Sequence, residues 1–128
     1  MAYPNEYKYT KEHEWIKVEG KVGIVGITHH AQEALGDIVF VELPKLGAEI
    51  QAGKTFGTVE SVKAVSDLYA PASGVVSEVN TELTTAPEKI NQDSHQAWMI
   101  KVQLKNPAEV NALLSAADYE KFLQEEDA

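Results

Sequence analysis

The sequence predicts a mainly β fold, a flattened barrel or sandwich hybrid built from hairpins, with short helices mostly near the C-terminus. Three observations carry this reading. Short runs rich in β-branched and aromatic residues recur at close spacing between glycine and proline punctuation. Asp37-Ile38-Val39-Phe40-Val41-Glu42-Leu43 is the strongest of them, apolar on both faces and closed by Pro44. A helical stripe is clear only late, at Tyr119, Phe122 and Leu123.

Taken in order, Glu14–Val18 and Val22–Ile27 read as strands joined at Glu19-Gly20-Lys21. Gly20, Gly23 and Gly26 do not fit a dinucleotide fingerprint and instead mark a turn and close backbone packing. Thr28 caps a short helix over His29–Leu35 that Gly36 ends. After the Asp37–Leu43 strand come a turn at Lys45-Leu46-Gly47, an extended piece at Glu49-Ile50-Gln51 and a second turn at Ala52-Gly53-Lys54. Val75–Asn80 alternates as a half-buried strand should. Thr81–Asp93 is polar, contains Pro87 and reads as a loop, and Ala97–Leu104 is the last strand. Asn106 caps a helix with Pro107 at its first position and Glu109 in the capping-box place. Ser115 starts another, whose apolar stripe is a packing face.

A chain of 128 residues suits one domain with a real core. The net charge of −9 argues against nucleic acid, which needs a basic face. No apolar run is long enough to span a bilayer, and Met1–Glu6 shows no targeting peptide, so the expectation is a cytoplasmic protein without a membrane partner. With no cysteine, disulfides, thiolate metal sites and a cysteine nucleophile are excluded together. A metal site is not expected: His29 and His30 are adjacent, His13-Glu14 lacks a zinc helix's second histidine, and His95 stands alone. Ser61 and Ser73 lack a nucleophile-elbow context, which argues against an enzyme of its own.

Two hairpin-like halves flank Lys63. Strand-like runs ending at Val62 and beginning at Val65 meet there, and a two-residue turn at Lys63-Ala64 would set Val62 opposite Val65, Ser61 opposite Ser66 and Glu60 opposite Asp67. That turn lacks the residues tight hairpins prefer, and its facing carboxylates repel. Local rules broken together point to function. An isolated lysine here is ordinarily a solvated surface group. A lysine at a rigid tip is also what a carrier needs, because the attached group swings while its origin stays fixed.

Glu60-Ser61-Val62-Lys63-Ala64, with Asp67 and Tyr69-Ala70-Pro71, resembles the lipoylation site of the glycine cleavage H-protein family. Tyr9–Trp15, Val25–Gln32 with Leu35–Pro44, Pro87–Asn91 and Trp98–Lys101 resemble the family's other motifs in the same order, across nearly the whole chain. Gln92–Ala97 departs from the pattern, being shorter and lacking its proline and glycine. The resemblance implies a lipoyl/biotinyl-like domain over 1–128, with a core at about 7–105 and helices at about 106–126. It implies lipoate amide-linked to Lys63, with Glu60, Ser61, Val62 and Ala64 read by a lipoylating enzyme.

The role it implies is a monomeric, non-catalytic shuttle. A pyridoxal-phosphate glycine decarboxylase loads an aminomethyl group, an aminomethyltransferase passes the one-carbon unit to tetrahydrofolate, and an FAD-dependent dihydrolipoamide dehydrogenase reoxidises the carrier with NAD. Glu14 and Asp67 are the expected contacts for the cationic amine, with Ile27, Thr28 and Leu35 as apolar wall. The alternative is an H-like protein that relays lipoyl groups to other carriers. A biotin carrier fits less well, because Val62 and Ala64 stand where biotinyl domains place methionines.

Overall fold

The computed structural model describes residues 3–126. The strands are β1 (Tyr7–Tyr9), β2 (Glu14–Glu19), β3 (Val22–Ile27), β4 (Ile38–Glu42), β5 (Glu49–Ile50), β6 (Thr55–Ser61), β7 (Val65–Tyr69), β8 (Gly74–Val79) and β9 (Ile100–Leu104). The helices are α1 (His29–Leu35), α2 (Glu82–Thr85), α3 (Lys89–Gln92) and α4 (Ala116–Glu126), with a 3-10 turn at Pro107–Ala112. Six strands form one antiparallel sheet in the order β1-β2-β3-β9-β8-β5, and β4-β6-β7 form a second. The fold is thus mainly β with two sheets, as the strand pattern predicts, and neither sheet closes into a barrel.

Alternation along β2 explains how two clusters share one strand. Ile16 enters the main core with Val25, Ile27, Val76, Ile100 and Val102 of the larger sheet and Ile38, Val41, Val59 and Leu68 of the smaller. Trp15 enters an aromatic cluster with Tyr7, Tyr9 and Tyr119, where Tyr7 stacks on Trp15 at 4.6 Å and Tyr9 on Tyr119 at 4.8 Å. A Cβ on Gly26 would stand 2.6 Å from the Trp15 ring, so this cross-strand partner has to be glycine. The stripe read on α4 does pack: Tyr119 is fully buried, with Phe122 and Leu123 beside it.

Several elements differ from expectation. β4 is not covered on both faces, since Val39 and Phe40 are 49% and 47% exposed. It is the edge of a three-stranded sheet, and an irregularity between Ile38 and Phe40 turns Ile38 and Val41 inward. The segment read as the loop Thr81–Asp93 contains the single-turn helices α2 and α3, each burying one apolar residue, Leu83 and Ile90. Elements this short show no periodicity in sequence. β9 starts at Ile100, after Trp98 and Met99. Asn106 caps a 3-10 turn through the Ala108 amide, and Glu109 accepts hydrogen bonds from the Ser73 amide and hydroxyl instead of closing a capping box.

Candidate functional site

The candidate site is the β6–β7 hairpin and the corner on which it rests. Glu60 pairs with Val65, Val59 with Ser66 and Thr58 with Asp67. The turn is therefore centred on Val62-Lys63, and the register expected from a Lys63-Ala64 turn is corrected. Ser61 is the cause. Its hydroxyl accepts from the amides of Lys63 and Ala64 at 3.3 and 3.1 Å, and its own amide donates to the Ala64 carbonyl at 2.8 Å. A serine side chain can bond nearby backbone in this way and so replace Asn-Gly chemistry. The shift places Asp67 opposite Thr58 and removes the expected repulsion with Glu60.

Lys63 and its neighbours Val62, Ala64 and Val65 are exposed, the two valines at 69% and 67%. The turn is anchored from outside, where the Val62 amide donates to the Asp37 carbonyl at 3.0 Å. The lysine stem then leans over Gly36, where a Cβ would lie 3.0 Å from Lys63 Cε. Gly36 sits at φ 80, ψ −150, a region nearly restricted to glycine. Its amide ends α1 on the Gln32 carbonyl, while the Thr28 hydroxyl accepts from the Ala31 amide at the other end, the two caps the sequence predicts. Asn91 clamps this corner. Its Oδ1 accepts from the Ile38 amide at 2.9 Å, and its Nδ2 donates to the Gly36 carbonyl and to Gln32 Oε1 at 2.8 and 3.0 Å. Sequence reading placed Asn91 in a motif without giving it this task; only its tertiary contacts reveal it.

The expected arm contacts differ in exposure, and Glu14, Ile27 and Thr28 are buried. Asp67 is exposed on β7, and Leu35 is half-buried at the end of α1. Glu14, paired with Ile27 across β2 and β3, is only 2% exposed. Its Oε1 accepts from the Thr10 hydroxyl at 2.7 Å and its Oε2 from the Tyr69 amide at 3.2 Å. Burial pushes the Glu14 carboxyl up to about 7, against the lowering effect of those two hydrogen bonds. Thr28 is buried, and its hydroxyl shares a 2.8 Å hydrogen bond with Tyr119.

The atypical Gln92–Ala97 segment turns inward. Ser94 and His95 are buried, and their carbonyls accept from Trp15 Nε1 and the Tyr7 hydroxyl at 3.0 and 2.7 Å. His95 Nε2 accepts the first amide of α1, from His29, at 3.2 Å, and burial holds this imidazole below its usual range. Histidines that sequence spacing kept apart also meet. Among the described residues His13, His30 and Glu126 bring ligand-type atoms within 4.8 Å of one another.

Residues 7–126 match the family model described as glycine cleavage H-protein. The chain belongs to that family. It is 68% identical over 126 residues to the glycine cleavage system H protein of Koribacter versatilis, covering 98% of each chain. It is 60% identical to the protein of that name from Carboxydothermus hydrogenoformans over 124 residues, covering 96% of this chain and 95% of the relative. The crystal structure of a glycine cleavage system H protein from Mycobacterium marinum superposes with a TM-score of 0.85 at 41% identity, covering 98% of this chain and all of the other. The family expected from the motifs around Lys63 is therefore the family found. Among the described residues no helix is long and apolar enough to cross a membrane.

Proposed function

We propose that this chain is the carrier component of the glycine cleavage system and that Lys63 is its lipoylation site. The observation that carries the reading is an exposed lysine at the tip of a hairpin whose backbone is held on both sides, by the Ser61 hydroxyl within the turn and by the Asp37 carbonyl outside it. The residues present suit lipoate. Nζ is accessible for an amide, glycine at 36 leaves room for the stem, and a chain without cysteine has no redox sulfur of its own. When bound, lipoate supplies a dithiolane that accepts an aminomethyl group and is later reoxidised.

The protein's part is positional. Glu60, Ser61, Val62 and Ala64 present the lysine to a lipoylating enzyme, with exposed Val62 offering apolar contact and Glu60 charge. Asp67, exposed on β7, meets a cationic amine carried on the arm, and half-buried Leu35 offers it apolar contact, whereas Glu14, Ile27 and Thr28, expected from the sequence to share these roles, are buried and do not line its path. Glycine decarboxylase, aminomethyltransferase and dihydrolipoamide dehydrogenase are the enzymes it visits in turn; the chain performs none of the chemistry itself. Intact mass of the protein from lipoate-replete cells tests the assignment. A shift of one lipoyl group, absent in Lys63→Arg, is expected. No shift, when a known lipoyl domain in the same cells is modified, refutes it.

A further inference from the structure

We propose that His13, His30 and Glu126 form a binding site for a borderline divalent cation of the zinc type, at the end of the molecule where α4 meets α1. The three residues come from separate elements. His13 lies in the β1–β2 loop, His30 is the second residue of α1, and Glu126 is the last residue of α4. Their ligand-type atoms all fall within 4.8 Å of one another. His13 Nε2 and Glu126 Oε1 are 3.5 Å apart, and the His13 and His30 rings lie 4.5 Å apart centre to centre. With metal–ligand bonds of about 2.0–2.2 Å in a tetrahedron, neighbouring ligand atoms are about 3.3–3.6 Å apart. One of the three edges among these ligand atoms therefore already has the right length, and the other two, within 4.8 Å, close on binding. Two imidazoles and one carboxylate leave a fourth position for water.

What sets this group apart from a chance ion pair is the shell behind it. His13 Nδ1 is 2.7 Å from the Tyr119 hydroxyl, which is 2.8 Å from the Thr28 hydroxyl. With Nδ1–H donating to Tyr119, and Tyr119 donating to Thr28, the Nε2 lone pair of His13 is aimed at Glu126. Metal-binding histidines are typically oriented by such a bond from their other nitrogen. His13 also holds φ at 73, which is rare outside glycine and places its ring beside His30. Softer imidazole donors with a single carboxylate favour zinc over calcium or magnesium, which select oxygen sets. A bound cation would staple the C-terminal helix to the loop before β2 and to the start of α1.

The test is titration of the chelator-treated full chain with zinc chloride, read by calorimetry and by the ring ¹⁵N shifts of the histidines. One zinc per chain is expected, with shifts at His13 Nε2 and His30 and little change at His29 or His95. Glu126→Gln alters an exposed helix end and leaves the fold intact. This change and His30→Ala are each expected to weaken zinc binding by at least about tenfold, as losing a ligand should exceed the effect of losing an outer-shell partner. His29→Ala, which removes a separate pair with Glu33, leaves the affinity unchanged. Absence of saturable binding, affinity unaffected by either ligand substitution, or shifts centred on His29 or His95 would overturn the site.

Discussion

Glu14 is a carboxyl with very little access to water, and the energetic consequence has a definite sign. Its native pKa is raised from 4.5 to about 7 by burial, so between those values the folded protein keeps a proton that the unfolded chain has released. The stability tied to this group is complete below about pH 4.5 and is lost as pH rises through about 7. Glu14→Gln mimics the protonated form, with Nε2 able to donate to the Thr10 hydroxyl and Oε1 to accept from the Tyr69 amide. Denaturant midpoints from pH 5 to 8 should therefore show the variant gaining on the wild type as pH rises, and parallel profiles would refute the assignment. The difference between the two proteins isolates Glu14, because buried His95, lowered in pKa, contributes in the opposite direction and equally in both. Asp67→Asn, at an exposed position, should hasten hydrolytic loss of an aminomethyl group from loaded protein, since a carboxylate beside a cation favours its charged form, and unchanged loss would refute that contact.

The hairpin and α1 show how an element positions a side chain it does not contain. Gly36→Ala strains a backbone at φ 80 and sets a Cβ against the Lys63 stem. A cost of about 1–3 kcal/mol is expected from the backbone alone, together with slower lipoylation in a timed mass assay. Gly47→Ala is the control: its φ is 83, but an added Cβ would meet nothing within 4 Å, so stability should fall while lipoylation does not. Equal lipoylation in both variants would mean that the Gly36 contact does not position the lysine. The caps of α1 were legible because Thr28 and Gly36 act on backbone three or four residues away. The turn register was misread for a related reason. Strand pairing from sequence set a two-residue turn at Lys63-Ala64, whereas the Ser61 hydroxyl, by bonding the Lys63 and Ala64 amides, holds a turn of the same length centred one residue earlier. Asn91 was illegible in detail, because its partners lie 53 to 59 residues away.

Across the whole molecule, strands, order of elements and the exposed place of Lys63 on a hairpin were readable because each rests on local pattern, while long-range groups such as His13, His30 and Glu126 have no common spacing to betray them. Their meeting depends on α4 docking through Tyr119, which is buried, stacks on Tyr9 and bonds both His13 and Thr28. The carrier end depends instead on β4, β6 and β7, the Asn91 clamp and the C-terminal end of α1. α1 joins the two ends, with Thr28 on the aromatic cluster and Gly36 under Lys63, only about 12 Å apart along the axis of a seven-residue helix and its two caps. Tyr119→Ala distinguishes a shared framework from a shared site. Removing a fully buried aromatic side chain should cost about 3–5 kcal/mol, seen as a large fall in the thermal midpoint and the release of α4 in hydrogen exchange. Below that midpoint Lys63 should still be lipoylated at the wild-type rate, because no bond that holds the hairpin passes through Tyr119. A folded Tyr119→Ala protein that lipoylates slowly would show that α1 transmits the state of the aromatic cluster to the lysine, and the two ends would then have to be treated as one unit.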